Sequence, residues 1–180
     1  MIKKILMLTA ISALSFSVTK AQKGTNGIQV GARVVFPTEK LNKIVNTGFG
    51  GSVKGMYGIG SKSSPHQVTL EAGYNRFGLK DLPTGASGSY SAIPLYTGYR
   101  YLFGKVILDT QAGISINRIS GHNVAGTEVD GTQTAFGWSV GAGYLIKQIE
   151  IGVKYQSSDV RDDIYDIKFV GLRVGYNFKL

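Results

Sequence analysis

The stretch Phe136-Gly137-Trp138-Ser139-Val140-Gly141-Ala142-Gly143-Tyr144-Leu145-Ile146 carries the fold in miniature. Its even positions hold Phe, Trp, Val, Ala, Tyr and Ile, and Gly137, Ser139, Gly141 and Gly143 stand between them. A repeat of two places successive side chains on opposite faces of an extended strand, whereas an amphipathic helix needs an apolar stripe every three or four residues. One face of this strand is therefore bulky and apolar, and the other is nearly bare.

The same alternation recurs on both sides of this stretch, which itself begins near Thr132. It is found from Gly27 to Phe36, Gly48 to Ile59, Gln67 to Phe77, Ser89 to Tyr101, Val106 to Arg118, Ile149 to Gln156 and about Ile167 to Leu180. From Val106 to Arg118, for example, Val106, Leu108, Ala112, Ile114 and Ile116 oppose Asp109, Gln111, Gly113, Ser115 and Asn117. Two irregularities stand out. Pro94 lacks the N–H that a ladder needs, which predicts a local defect in the fourth strand. The phase of the last segment slips at Phe169-Val170, which predicts a bulge. After residue 21 no segment carries a 3.6-residue stripe, and Lys40 to Asn46 is the one short helix-like stretch.

The connections alternate in length. Thr38–Thr47, Gly78–Gly88, Ser120–Gly131 and Ser157–Asp166 are long and polar; Gly60–His66, Leu102–Lys105 and Lys147-Gln148 are short. Outer-membrane barrels show this pattern, with the short turns and both termini in the periplasm. The reading is an all-β fold, an eight-stranded antiparallel up-and-down transmembrane β-barrel.

Composition agrees. The chain has 180 residues with 43% hydrophobic and 17% charged residues, which argues against disorder. It contains 25 glycines, about twice the usual ~7%, but only four prolines and no collagen period. The absence of cysteine excludes a disulfide framework, a thiol nucleophile, cysteine-ligated zinc and an N-terminal lipidated cysteine; two histidines exclude a His-rich metal site. The net charge of +9 comes from scattered rather than clustered Lys and Arg, which argues against nucleic acid as a partner.

Alternation alone does not say which face meets water. A soluble lipocalin-like barrel would bury its apolar set. An eight-stranded barrel, however, has an interior just wide enough for side chains or one small ligand. Phe49, Tyr57, Tyr74, Tyr99, Tyr101, Trp138, Tyr144, Tyr155, Tyr176 and Phe178 all belong to the apolar set, and glycine and serine dominate the other. Small residues fit the narrow lumen, so the apolar set faces outer-membrane lipid, with aromatic residues toward the strand ends as interfacial girdles.

At the N-terminus, Lys3 and Lys4 precede the apolar run Ile5 to Phe16, and Thr19 and Ala21 are the small residues of a cleavage site. Residues 1–21 read as a secretory signal peptide, and residues 22–180 as the barrel domain. The run is too short to cross a bilayer as a helix, which takes ~20 residues.

The strand texture resembles the PorT-like outer-membrane β-barrel family of Bacteroidetes, a group of small barrels of the OmpA/OmpX type. Three stretches carry the resemblance: Tyr90-Ser91-Ala92-Ile93-Pro94-Leu95, with Ala92 where that family usually has an acidic residue; Phe136 to Gly143; and Gly171-Leu172-Arg173-Val174-Gly175-Tyr176-Asn177-Phe178. The last strand is also similar to the signal read by the barrel-assembly machinery, which the resemblance implies as a partner during insertion. Tyr176, Phe178 and Leu180 are the residues concerned, although Lys179-Leu180 displaces the usual terminal aromatic. The resemblance implies the fold and a place in the cell outer membrane. It implies no single activity.

The inward set carries charge: Arg33, Lys54, Glu71, Arg100, Asp109, Glu150, Lys154 and Arg173. Lone charges are not stable in a narrow, partly dry lumen, so five cations and three anions on adjacent strands are expected to pair into a network that closes it. Lys54 with Glu71 and Arg100 with Asp109 are the nearest pairs. A charged pore lining is the alternative. Asp159, Arg161, Asp162, Asp163 and Asp166 make an acidic loop without EF-hand spacing, read as solvated rather than as a Ca²⁺ site. Ser120, His122, Glu128 and Asp130 contain the residue types of a lipid hydrolase but no motif, His66 beside Pro65 reads as turn chemistry, and Gly48-Phe49-Gly50-Gly51 lacks phosphate-loop spacing. The expectation is a non-enzymatic, structural, adhesive or transport-accessory membrane protein without catalytic, cofactor or metal sites. A small-solute channel and an outer-leaflet lipid-modifying enzyme are the alternatives.

The exported protein is expected to begin at Gln22. N-terminal sequencing of outer-membrane material checks this, and an intact Met1 there contradicts it.

Overall fold

The period-two segments form eight antiparallel strands in the computed structural model, which describes residues 26–38, 41–60, 64–159 and 167–180. In chain order they are β1 (Gly27–Pro37), β2 (Gly48–Gly58), β3 (His66–Gly78), β4 (Ser87–Phe103), β5 (Val106–His122), β6 (Glu128–Ile146), β7 (Ile149–Asp159) and β8 (Ile167–Lys179). Each strand pairs with its chain neighbours, and β1 pairs with β8 to close the barrel. Closure follows from the solvent: hydrocarbon supplies no hydrogen bonds, so a spanning sheet has no free edge. The lateral partners starting at Gly27 run through Met56, Thr69, Gly98, Gln111, Ser139, Gln156 and Phe169 and return to β1 at Pro37. That ten-residue stagger sets the strand tilt.

Across the middle of the wall the apolar positions face outward. Leu70, Leu108, Val140 and Val153 are among the exposed side chains there, while Lys54, Glu71, Asp109 and Gln111 are buried inside. The small inward residues make room for large ones. A Cβ on Gly137 would stand 2.1 Å from the Tyr96 hydroxyl, so glycine on β6 lets the inward tyrosine of β4 cross the lumen.

Toward the extracellular end the faces exchange character. Val35, Phe77, Tyr90, Ala92, Ala135, Ile167 and Phe169 point inward and pack as one buried apolar cluster. A 3-10 turn at Leu41–Lys43 lowers Leu41 and Val45 onto it. The first and second outer loops are joined by a bridge between Val45 and Leu79, and the Lys80 N–H donates to the Ile44 carbonyl at 2.8 Å. Outside, on one lateral row across β3 to β6, stand Arg76, Ser91, Arg118 and Thr132.

This exchange corrects the expected bulge. The pairing of β8 with both β1 and β7 keeps one register past Phe169 and Val170. The change in pattern at this point marks the apolar layer inside the barrel. A second correction concerns the third long connection. Residues from Ser120 to Gly131 are mostly strand, because β5 and β6 continue as paired strands to His122 and Glu128, leaving a turn of five residues, 123–127. At Pro94 the β3–β4 ladder has partners at Ala72–Leu95 and Asn75–Ala92 and none between, a defect without a shift of register. The signal segment 1–21 and residues Arg161, Asp162, Asp163 and Asp166 lie outside the described residues, and Asp159 is described by its backbone alone.

Replacing Leu70, Leu108, Val140 or Val153 with Arg places a charge against hydrocarbon. Each variant is expected to lose about 2–4 kcal/mol of folding free energy if it lies at the midplane. Denaturant titration in lipid bilayers measures it, and four unchanged values contradict the outward assignment.

Candidate functional site

Alternation fixes which residues enter the lumen, and the stagger brings them to one level. All eight charges named from the sequence are buried on the inward face. Glu71 on β3 lies 2.9 Å from Lys154 on β7, 3.2 Å from Lys54 on β2 and 3.4 Å from Arg33 on β1. Asp109 on β5 lies 2.9 Å from Lys54, 2.6 Å from Arg173 on β8 and 4.0 Å from Arg100 on β4. Glu150 on β7 lies 2.7 Å from Arg100 and 2.5 Å from Arg173. Lys54, Arg100 and Arg173 each touch two carboxylates, so the eight form one connected network.

Neutral side chains continue it. The Gln29 amide donates to Glu150 at 2.7 Å and to Asn177 at 3.0 Å. Lys154 donates to the Gln111 carbonyl oxygen, which also accepts from Ser139 at 3.3 Å, and the Gln111 amide donates to Thr69 at 3.2 Å. Above the charges Tyr90 donates to Asn117 at 2.7 Å. The sequence reading placed Gln29, Thr69, Gln111, Asn117, Ser139 and Asn177 in the polar set but did not join them to the network, and it did not include the apolar layer above them. The signal for the layer was present, in apolar residues at inward positions near one end of β1, β3, β4, β6 and β8.

The terminal residues Tyr176, Phe178 and Leu180 are exposed, and the rings of Tyr176 and Phe178 meet at a tilt with centres 4.7 Å apart on the outer face of β8. His66 makes a short hydrogen bond with Tyr99 and lies against the Tyr101 ring, at the periplasmic end of β3.

Two cavities mark the extracellular end. One, about 550 Å³, opens inside the mouth and is lined by Leu41, Ile44, Val45, Leu79, Ile119 and Ile167 among others. The other, about 600 Å³, lies on the outer face of β3–β6 and includes Arg76, Ser89, Arg118, Ser120, His122 and Glu128. His122 faces Glu128 across the β5–β6 ladder, but among the described residues neither is hydrogen-bonded to the other or to Ser120. The Ser120 hydroxyl instead lies 3.4 Å from that of Ser89.

The family model for the outer membrane protein beta-barrel domain matches residues 6–178. No curated protein matches the chain. Among solved structures it is similar to Ail, the attachment invasion locus protein of Yersinia pestis, with a TM-score of 0.67 and 15% identity over 88% of this chain and 100% of that one. It is also similar to the N-terminal β-barrel domain of Pseudomonas aeruginosa OprF, with a TM-score of 0.61 and 16% identity over 86% of this chain and 99% of that one. Neisserial surface protein A gives a TM-score of 0.56 at 18% identity over 87% and 99%. These likenesses are likenesses of fold.

Glu71→Ala leaves Lys54, Lys154 and Arg33 short of a shared anion in a buried site. The expected loss of stability is about 3–5 kcal/mol. Asp130→Ala, which breaks an exposed, solvent-screened pair with Arg118, should cost far less. Urea unfolding of both refolded variants tests the contrast, and equal losses contradict a buried network.

Proposed function

We propose that this chain, which belongs to the outer membrane protein β-barrel family and lies in the cell outer membrane, is a closed-lumen barrel that works through its extracellular surface rather than by conduction or catalysis. One observation carries this reading: the lumen is filled twice over, by the eight-charge network and by the apolar cluster of Val35, Phe77, Tyr90 and Phe169 above it. A solute would have to separate buried ion pairs and then cross a predominantly apolar layer, and both steps are costly.

The projecting β5–β6 hairpin supports the surface role. It holds Ile119, Val124 and Val129 exposed above the mouth, near exposed Ile44 and Leu82 on the first two loops. Apolar side chains grouped outside the membrane are the usual mark of an interaction site. A structural or adhesive role fits this geometry. The separation of His122 from a hydrogen-bonded serine or carboxylate supports the non-enzymatic reading over a lipid hydrolase, whose base must reach its nucleophile.

Planar-bilayer recording of the refolded protein tests the proposal. The expected result is no steady conductance, for the wild type and for Glu71→Ala alike, because removing Glu71 leaves the apolar layer in place. Stable single-channel steps from the wild type overturn the closed-lumen reading.

A further inference from the structure

Among the described outward-facing strand positions, charge is confined to the extracellular ends: Arg76, Arg118, Glu128, Asp130 and Lys168. Two of these, Arg76 and Arg118, stand at the same rung. Arg76 pairs laterally with Ser91, and Ser91 with Arg118, so the guanidinium-bearing residues flank a serine across β3, β4 and β5. Two strand spacings separate them, about 9–10 Å between Cα atoms. One rung nearer the membrane centre, the same strands present Tyr74, Ile93 and Ile116, where the lipid-facing surface ends. One rung farther out, the Ser89 and Ser120 hydroxyls stand together.

The two arginines differ in what holds them. Asp130 accepts from Arg118 Nε at 2.8 Å and Nη2 at 2.5 Å, which fixes the guanidinium and leaves its Nη1 free. Arg76 has no hydrogen-bond or ion-pair partner among the described residues. Both line the outer-face cavity of about 600 Å³, with Tyr74, Ser89, Ser91 and Ile93.

We propose that the Arg76–Ser91–Arg118 row binds the headgroup phosphate of a lipid in the outer leaflet, whose acyl chains run down over Tyr74, Ile93 and Ile116. Guanidinium groups match phosphate oxygens in charge and in fork geometry. The Ser91 hydroxyl supplies a further donor on the same row, and those of Ser89 and Ser120 stand one rung farther out. Continuity with the lipid-facing wall selects the occupant: a free anion would meet the arginines but make no use of the apolar row beneath. Glu128 and Asp130 lie above the phosphate level, Asp130 engaged by Arg118. This site is independent of whether the lumen is closed.

The full chain, refolded in a maltoside detergent, can be titrated with diphosphoryl lipid A, with its dephosphorylated form and with inorganic phosphate, and the retained lipid read by native mass spectrometry. The wild type is expected to retain the diphosphoryl form in preference to the dephosphorylated one, and millimolar inorganic phosphate should not displace it. Arg76→Gln with Arg118→Gln should weaken retention by at least about tenfold. Lys105→Gln, in the turn at the opposite rim, should match the wild type. Arg76→Gln alone, which breaks no hydrogen bond or ion pair among the described residues, should show part of the loss and keeps the test open if the double variant fails to fold. Undiminished retention by the arginine variants overturns the proposal. So does equal retention of the dephosphorylated lipid, and displacement by inorganic phosphate would mark a soluble-anion site instead.

Discussion

Eight charged side chains share a space too narrow for any of them to keep a hydration shell, and the barrel depends on their pairing. Carboxylates are outnumbered, so each one serves several cations: Glu71 meets Lys154, Lys54 and Arg33, and Asp109 meets Lys54, Arg173 and Arg100. Several of these contacts cross the lumen. Lys54 on β2 reaches Asp109 on β5, Glu71 on β3 reaches Lys154 on β7, and Arg173 on β8 reaches Asp109. The backbone ladder joins only neighbouring strands. The ion pairs tie opposite walls and so resist flattening of the cross-section. Buried pairs are not a cheap source of stability. Their value here is that each charge finds its partner only when the registers of non-adjacent strands are right, which makes the network a check on assembly.

The apolar layer above the network is its complement. Phe77 packs between Tyr90 and Phe169, with tilted rings whose centres lie 5.6 Å and 5.5 Å from its own. Leu41 and Val45 close the layer from the first outer loop. Below the charges, Met56 and Ile107 are also buried inside. Charges bounded by apolar side chains interact in a medium of low dielectric, where each correct pair is strong and each unpaired one costly. The closed state is thus built from two unlike materials, and opening a pore would require rearranging both.

Much of this was legible in the sequence, and the reason is the rigid period of a strand. Once each segment is read as alternating, the faces of its residues across the membrane follow, including those of Glu71 on β3 and Arg173 on β8. The cross-lumen partners were not legible. Lys54 was expected beside Glu71, its lateral neighbour, and that contact exists at 3.2 Å, but its shorter contact is with Asp109, which only the ten-residue stagger brings near. The phase reading failed where the chain stops obeying one rule. Ile167 and Phe169 are apolar and inward, and a rule that sends apolar residues outward can absorb them only by inventing a bulge. The same rule, by ending β5 at Arg118, mistook the polar outer face of a strand pair for a loop.

Those two failures have one cause, and it concerns the height at which the solvent changes. Within the bilayer the outer face must be apolar and the inner face takes the polar residues. Above it the requirement reverses: Arg76, Ser91, Arg118, Asp130 and Thr132 face water and headgroups, while Phe77, Tyr90, Ile119 and Ile167 turn inward. A single uninterrupted strand such as β5 therefore reads as a membrane strand from Val106 to Ile116 and as a soluble-barrel strand from Asn117 to His122, without any change of register. The residue at which the outward set switches from apolar to polar marks the membrane boundary more sharply than any loop does. On β3, β4 and β5 that switch falls at Arg76, Ser91 and Arg118, on one lateral row. A boundary set only by the need to solvate the strand ends could be met by any polar residue. A row that places two guanidinium groups there, one of them without a hydrogen-bond or ion-pair partner among the described residues, gives the boundary a chemistry complementary to phosphate.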